Sequence, residues 1–174
     1  MSEPVVVYTD GRVHAARRPW GGHWERPVAI SPPRSHASGP TLAVDSSGTS
    51  TVAWLLPSNR IEAVRARIHG SWTRPTEVAP ASELLVDWLM IAANGPGDLM
   101  LAWSTQTPAN TNGPGNAVHV AIRGHQGPWG EPETVSKTYG WRPQVALARN
   151  SDGLVVWTKL ARGGPRVQAR FRSG

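Results

Sequence analysis

Cysteine is absent from the 174-residue sequence. This absence excludes a disulfide framework, zinc held by cysteine and thiol chemistry, and it fits a reducing compartment. A long apolar run is also missing at the start, because the apolar stretch in "MSEPVVVYTDGR" is four residues and too short for a signal peptide or a membrane span. We therefore expect a cytoplasmic protein without membrane contact, or a secreted one if a signal peptide has been removed.

Lysine is scarce, since sixteen of the eighteen basic residues are arginine, and the net charge is +6. Arginine favours planar contacts with carboxylate, phosphate or polar sugar groups, so nucleic-acid binding is one hypothesis. The arginines are spread from Arg12 to Arg172, however, and no run of five like charges occurs. This pattern argues against a specific nucleic-acid site and is typical of a solvated, arginine-biased surface.

Tryptophan is abundant by contrast, with nine residues, and six of them recur in register. One series has a glycine two positions before the tryptophan and a proline three positions after it. Each of these tryptophans lies eleven positions after the start of a predicted strand. The three strands start at Val13, Ile61 and Val118. Such self-similarity indicates a repeat protein. The three segments are Trp24 to Pro27, Trp72 to Pro75 and Trp129 to Pro132.

A second module of fifteen residues recurs at positions 40–54, 89–103 and 143–157, each ending in tryptophan. Each copy predicts two short apolar strands joined by a glycine-containing turn, which is the pattern of an antiparallel hairpin. A third strand follows, with apolar residues at alternate positions. The tryptophan-proline segment is the predicted fourth strand. One repeat is then four antiparallel strands, labelled a to d, in 46 to 57 residues.

These Trp-x-x-Pro and glycine-turn-tryptophan repeats resemble the short-repeat bacterial β-propellers, which include sialidase-like and lectin propellers. The resemblance implies an all-β fold with four-stranded blades, about three and a half per chain. It divides the single domain 1–174 into units at 1–31, 40–79, 89–136 and 143–174. The Asp-box of sialidases, Ser-x-Asp-x-Gly-x-x-Trp, is not matched. This mismatch weakens the interpretation as an enzyme.

Strand order suggests self-association. The units read b-c-d, a-b-c-d, a-b-c-d and a-b-c, so the first lacks an inner strand and the last lacks an outer one. Incomplete outer units expose apolar blade faces, and large exposed apolar patches mark interfaces. We therefore expect a two-fold homodimer that completes a ring of seven or eight blades. The alternative is that the remaining blades belong to a longer chain.

Candidate binding residues lie in the b–c and d–a connections, which share one face of a propeller. The longest b–c connection, residues 104–117, is rich in glycine, proline and asparagine, as functional loops often are. Trp88 and Trp141 fall outside the repeat and are expected in d–a loops. An aromatic platform flanked by charged groups suits a sugar ring or a peptide, although both rings would equally serve to cap the core. The predicted site residues are Trp88, Trp141, Arg142, Asp87, Tyr139, Arg60 and Asp10.

Catalytic and metal-binding patterns are sparse. The sequence has no Gly-x-Ser-x-Gly motif and no His-x-Glu-x-x-His motif, so we predict no metal and no cofactor. A sialidase-like site needs an arginine cluster, a tyrosine nucleophile and carboxylates. The "WRP" segment at 141–143 resembles the arginine motif of that family. Tyr8 is expected in the core, so Tyr139 is the remaining candidate for the tyrosine nucleophile. Asp10, Asp87 and Glu83 are the carboxylates to consider.

The sequence thus favours a noncatalytic binding module on a propeller scaffold, either lectin-like or protein-binding. A sialidase-like glycoside hydrolase is the first alternative. A nucleic-acid binder that uses the arginine-rich surface is the second.

Overall fold

The computed structural model describes residues 4–106 and 116–174, and these ranges contain fourteen β-strands in four antiparallel sheets and no helix. The β-propeller fold class predicted from the repeat is therefore confirmed. The strands are β1 (Val5–Thr9), β2 (Val13–Arg17), β3 (Val28–Ala29), β4 (Ser38–Val44), β5 (Ser50–Leu55), β6 (Ile61–Ala66), β7 (Thr76–Ala79), β8 (Leu85–Ala93), β9 (Leu99–Gln106), β10 (Ala117–Arg123), β11 (Glu133–Ser136), β12 (Gly140–Leu147), β13 (Gly153–Ala161) and β14 (Gly164–Arg172).

The sheets follow chain order. Blade 1 is β1-β2-β3, blade 2 is β4-β5-β6-β7, blade 3 is β8-β9-β10-β11 and blade 4 is β12-β13-β14. Blades 1 and 4 have three strands each, and the missing strands are the inner and the outer one, as the strand order predicts. Most of the long predicted b–c connection, residues 107–115, lies outside the described residues.

Each inner hairpin closes through a polar turn. In blade 2 the Asp45 carboxylate accepts hydrogen bonds from the Ser47 and Thr49 backbone N–H groups, at 2.9 and 3.0 Å. In blade 3 the Asn94 side-chain oxygen accepts from the Gly97 and Asp98 N–H groups, at 2.9 and 2.8 Å. Such side chains imitate a backbone turn. The glycine-containing segments thus form the turns expected of them.

The core lies between neighbouring blades. The central strands β5 and β9 are almost wholly buried, because sheets pack on both of their faces. Each gap between blades is filled by the tryptophan of a second strand. Trp54 belongs to the cluster shared by blades 1 and 2, Trp103 to that of blades 2 and 3, and Trp157 to that of blades 3 and 4. These three tryptophans are core residues, as predicted.

The tryptophan-proline segments differ from the prediction. They precede the fourth strands, which begin at Val28, Thr76 and Glu133 after each proline. Trp72 is partly buried against the preceding blade, where the Arg17 guanidinium lies 5.1 Å from its ring centroid. Trp24 is 49% exposed, because no blade of the described chain precedes its own. Its placement in the core is therefore wrong.

Exposed apolar side chains concentrate on the two outer blades. On β14, Val167 and Phe171 are 77% and 64% exposed. On β1, Val6 is exposed, and so is Tyr8, which corrects the expectation that Tyr8 lies in the core. The physical reason is the same at both ends, since one face of each outer blade has no neighbouring sheet. Within the described residues no helix could cross a lipid bilayer.

Candidate functional site

All three inner strands carry an irregularity at the same position. The register with the second strand shifts between Ser38 and Thr41 in β4, between Asp87 and Met90 in β8, and between Trp141 and Gln144 in β12. A β-bulge of this kind turns a side chain out of the regular alternation. The inner strands therefore begin two, four and three residues earlier than the repeat predicts.

The residue within each bulge has a left-handed backbone. The φ angles are 55° at Gly39, 57° at Trp88 and 52° at Arg142. Glycine adopts this conformation without steric cost, whereas a residue with a Cβ loses about 1 to 2 kcal/mol. A tryptophan and an arginine at such positions are held there by the surrounding sheet. Strained residues of this type cluster at binding sites, so the two bulges identify candidate functional positions.

The two bulge side chains contact each other across the gap between blades 3 and 4. The Arg142 Cζ atom lies 5.4 Å from the centroid of the Trp88 ring, which is a cation–π distance. Trp88 remains 42% exposed, so much of the ring is open to solvent. The two bulges thus create a pair that presents an aromatic surface beside a guanidinium.

A polar cavity of about 220 Å³ lies beside this pair, and we call it the Trp88 cavity after the neighbouring ring. The Ser104 hydroxyl donates to the Asp87 carbonyl at 3.0 Å, which ties the bulge to the second strand of its own blade. The Gly140 N–H donates to the Asn116 carbonyl at 3.1 Å, which joins blade 4 to blade 3. The cavity walls are therefore fixed by sheet structure. They are formed by Asp87, Ser104, Thr105, Gln106, Asn116, Trp141 and Arg142.

Four of the predicted site residues are brought together here: Asp87, Trp141 and Arg142 on the cavity wall and Trp88 against Arg142. Trp88 and Trp141 lie within the inner strands β8 and β12, however, and not in d–a loops. The sequence pattern placed the start of these strands too late, because a bulge extends each strand beyond the apolar repeat.

Tyr139 lies next to this site without lining its cavity. Its backbone is left-handed, with φ 55°, and its carbonyl accepts a hydrogen bond from the Leu160 N–H at 3.1 Å. The side chain is half-buried. Tyr139 therefore helps to position the start of β12.

Arg60 and Asp10 lie in earlier blades. Arg60 forms an ion pair of 2.9 Å with Glu62 and lines a separate cavity of about 380 Å³. The exposed Asp10 accepts from the Arg12 N–H at 3.3 Å and contacts His14 Nε2 at 3.1 Å. The Arg12 N–H is the main reason that the pKa of Asp10 is lowered. Neither residue belongs to the Trp88 cavity.

A further cavity of about 250 Å³ was not predicted, and it lies between blades 2 and 3. His119 lines it and uses both ring nitrogens, Nε2 to the Thr105 hydroxyl and Nδ1 to the Thr134 hydroxyl, each at 3.0 Å. Burial lowers the pKa of His119 and so favours the neutral ring. The sequence feature that marks His119 is its position in the third strand of a repeat, where one polar residue alternates with apolar ones.

Carboxylates and metal ligands are sparse in these cavities. Among the described residues that line the Trp88 cavity, Asp87 is the only carboxylate. Residues 4–106 and 116–174 contain no group of three histidine, aspartate or glutamate side chains placed to hold a metal ion. The chemistry offered at the site is therefore stacking, hydrogen bonding and charge.

Comparison with known proteins identifies the fold. The chain matches no protein family and no curated protein by sequence. Among solved structures it is similar to the BP39L lectin of Burkholderia pseudomallei, with a TM-score of 0.67 and 17% identity over 99% of this chain. It is also similar to the fucose-specific lectin of Aleuria aurantia, with a TM-score of 0.54 and 13% identity over 94% of this chain.

Sialidases share the same architecture. The NanB sialidase of Streptococcus pneumoniae matches with a TM-score of 0.55 and 14% identity over 99% of this chain. The chain spans 50% of the Burkholderia lectin, 54% of the Aleuria lectin and 29% of the sialidase. At these identities the likeness shows the fold of propeller lectins and sialidases, and the chain corresponds to about half of a lectin propeller.

Proposed function

We propose that the chain is a noncatalytic carbohydrate-binding module and that its glycan site is the cavity beside Trp88 and Arg142. The observation that carries the proposal is the pair of equivalent bulges, which hold a tryptophan and an arginine in left-handed conformations and in mutual contact. Left-handed residues other than glycine are enriched at binding sites. Lectins among the structural neighbours support the same class of ligand.

The chemistry of the site suits one sugar ring. The apolar face of a pyranose stacks on an exposed indole, and Trp88 offers such a surface. Sugar hydroxyls need donors and acceptors, and the cavity supplies the Arg142 guanidinium, the Asp87 carboxylate and the Ser104 hydroxyl. Its volume of about 220 Å³ is smaller than a typical drug-sized pocket, which favours a single small ring.

Glycoside hydrolysis is the weaker candidate. The reaction usually needs two carboxyl groups, about 5 to 5.5 Å apart for retention or about 6.5 to 9.5 Å for inversion. Of the described residues on the cavity wall, Asp87 alone carries a carboxylate, while Asp10 lies in blade 1 and contacts His14. The site therefore favours binding without bond cleavage.

Self-association is the second part of the proposal. Val167 and Phe171 on β14, and Val6 and Tyr8 on β1, present apolar surface on opposite outer blades. Burial of such surface stabilises by about 25 cal/mol per Å² before the costs of association are counted. Two copies joined through these blades would carry two glycan sites and gain avidity for clustered glycans.

A glycan array followed by calorimetry tests the site. We expect the wild-type chain to bind a defined set of glycans, and the Trp88→Gly and Arg142→Gly variants to lose at least about tenfold in affinity. Glycine is chosen because Gly39 occupies the same bulge in blade 2. Trp20→Ala is the matched control, since this tryptophan is 77% exposed in the c–d connection of blade 1 and distant from blades 3 and 4, and it should bind as wild type. Equal binding by all four proteins would place the glycan site elsewhere, and binding of a protein or a nucleic acid alone would refute the carbohydrate assignment.

A further inference from the structure

A large cavity of about 980 Å³ lies at the opposite ends of the strands from the Trp88 site. It is formed by the a–b turn and the c–d loop of blade 2 together with the c–d turn of blade 3. We call it the arginine cavity, because three guanidinium groups line it. The residues that matter for its chemistry are Arg65, Arg67, Arg123, Asp45, Ser71 and His125.

Positive charge in this cavity exceeds negative charge. Asp45 is the one carboxylate among its described lining residues. One oxygen of Asp45 already accepts from the Ser47 N–H at 2.9 Å, the Ser47 hydroxyl at 2.6 Å and the Thr49 N–H at 3.0 Å. The other oxygen lies 3.8 Å from Arg65 Nη2, which is a long ion pair. Asp45 therefore stabilises the a–b turn of blade 2. It compensates the positive charge of Arg65 only weakly.

Two of the arginines have hydrogen-bonding capacity left over. The Arg65 Nε atom is buried and has no hydrogen-bond partner. Arg123 Nη1 donates to the His125 carbonyl at 3.3 Å, which is a long hydrogen bond. The pKa of Arg123 is lowered, first by burial and then by the positive charge of Arg65. Two like charges from neighbouring blades thus face one cavity, and an anion between them would relieve the repulsion.

We infer that the arginine cavity binds a sulfate or phosphate group carried on a larger polar molecule. Guanidinium groups bind such oxyanions through paired, charge-assisted hydrogen bonds. Arg65 and Arg123 come from different blades, and the Ser71 hydroxyl adds a donor from the loop. A tetrahedral oxyanion directs its oxygens to several sides and fits this arrangement better than a planar carboxylate, whose two oxygens point one way.

The site is independent of the proposed glycan site. Asp45 follows the end of β4, whereas the bulge at Gly39 lies at the start of that strand, so the two cavities open at opposite ends of the blades. One molecule of the protein therefore presents two faces with different ligand chemistry. An anionic ligand on one face leaves the other face free for a neutral glycan.

Calorimetric titration with inorganic sulfate and with inorganic phosphate, in sodium chloride of matched ionic strength, tests the inference. We expect saturable binding that falls about tenfold in Arg123→Gln and severalfold in Arg67→Gln. Arg67 is exposed, so its replacement leaves the fold intact even if the half-buried Arg123 variant is unstable. The matched control is Arg166→Gln, an exposed arginine on β14, which should bind as wild type.

Sulfate also stabilises proteins in general by exclusion from their surface, and that effect acts equally on every variant. The difference between Arg123→Gln and Arg166→Gln therefore isolates binding in the cavity.

Equal titrations for all variants, or no saturable heat, would overturn the inference. Glucose 6-sulfate and glucose 6-phosphate, titrated into Trp88→Gly so that the proposed glycan site does not contribute, then distinguish the two sources, with glucose as the blank. Retention of sulfate binding by Trp88→Gly would separate this site from the glycan site, and its loss would contradict their independence.

Discussion

Trp103 and His119 lie directly opposite each other on β9 and β10, and their rings stack with centroids 5.6 Å apart. The same cross-strand position pairs Tyr8 with His14, Trp54 with Glu62 and Trp157 with Gln168. Each blade thus places a polar side chain beside an aromatic ring, which faces the gap between blades in blades 2, 3 and 4 and is exposed in blade 1. In blade 3 this polar residue is a half-buried imidazole held by two threonine hydroxyls.

The stability of the protein should depend on pH through His119. Burial holds its pKa below the ordinary value of 6.5, so between 6.5 and the lowered value the unfolded chain binds more protons than the folded one. The free energy of unfolding therefore falls as the pH is lowered through this window. We expect His119→Gln, which copies Gln168 of blade 4, to flatten the slope in urea titrations from pH 7 to about pH 5. A variant with the wild-type slope would show that other groups cause the dependence.

Truncation of an interblade tryptophan should be costly. Trp54 has no exposed surface and lies in the cluster between blades 1 and 2. We expect Trp54→Ala to lower the free energy of unfolding by about 3 to 5 kcal/mol, as for other large aromatic side chains in cores. Trp20→Ala, at a site that is 77% exposed, should cost less than about 1 kcal/mol. Equal losses in denaturant titration would contradict the assignment of Trp54 to the packing between blades.

Replacement of Trp88 by glycine should separate binding from stability. The change removes a left-handed tryptophan, which relieves about 1 kcal/mol or more of backbone strain, and it also removes a cation–π contact worth about 0.5 to 1 kcal/mol. We expect the free energy of unfolding to change by less than about 1 kcal/mol while glycan binding is lost. A large loss of stability would show instead that the ring caps the core.

Light scattering tests self-association. At micromolar concentration we expect a particle of roughly twice the chain mass of 18.7 kDa. Phe171→Glu places a charge on the exposed face of β14 and should restore the monomer, because burial of an unpaired charge is costly. Ser58→Glu, at an exposed turn position of blade 2 away from both outer blades, is the charge-matched control and should leave the dimer intact. A wild-type monomer would refute the proposal.

The sequence by itself determined the blade. Alternating apolar residues, glycine turns and recurrent tryptophans specify four antiparallel strands per unit, because local periodicity and turn chemistry fix strand pairing. The same pattern identified Trp54, Trp103 and Trp157 as core residues. It also singled out Trp88 and Trp141 as tryptophans outside the repeat.

Tertiary structure decided what the repeat could not. Trp24, Trp72 and Trp129 are equivalent in sequence, yet Trp24 is exposed, because burial depends on whether a neighbouring blade is present. The inner-strand bulges carry no apolar signature, so Trp88 and Arg142 looked like loop residues. The sequence also does not predict the arginine cavity, because Arg65 and Arg123 are far apart in the chain. They come together only when two blades pack side by side.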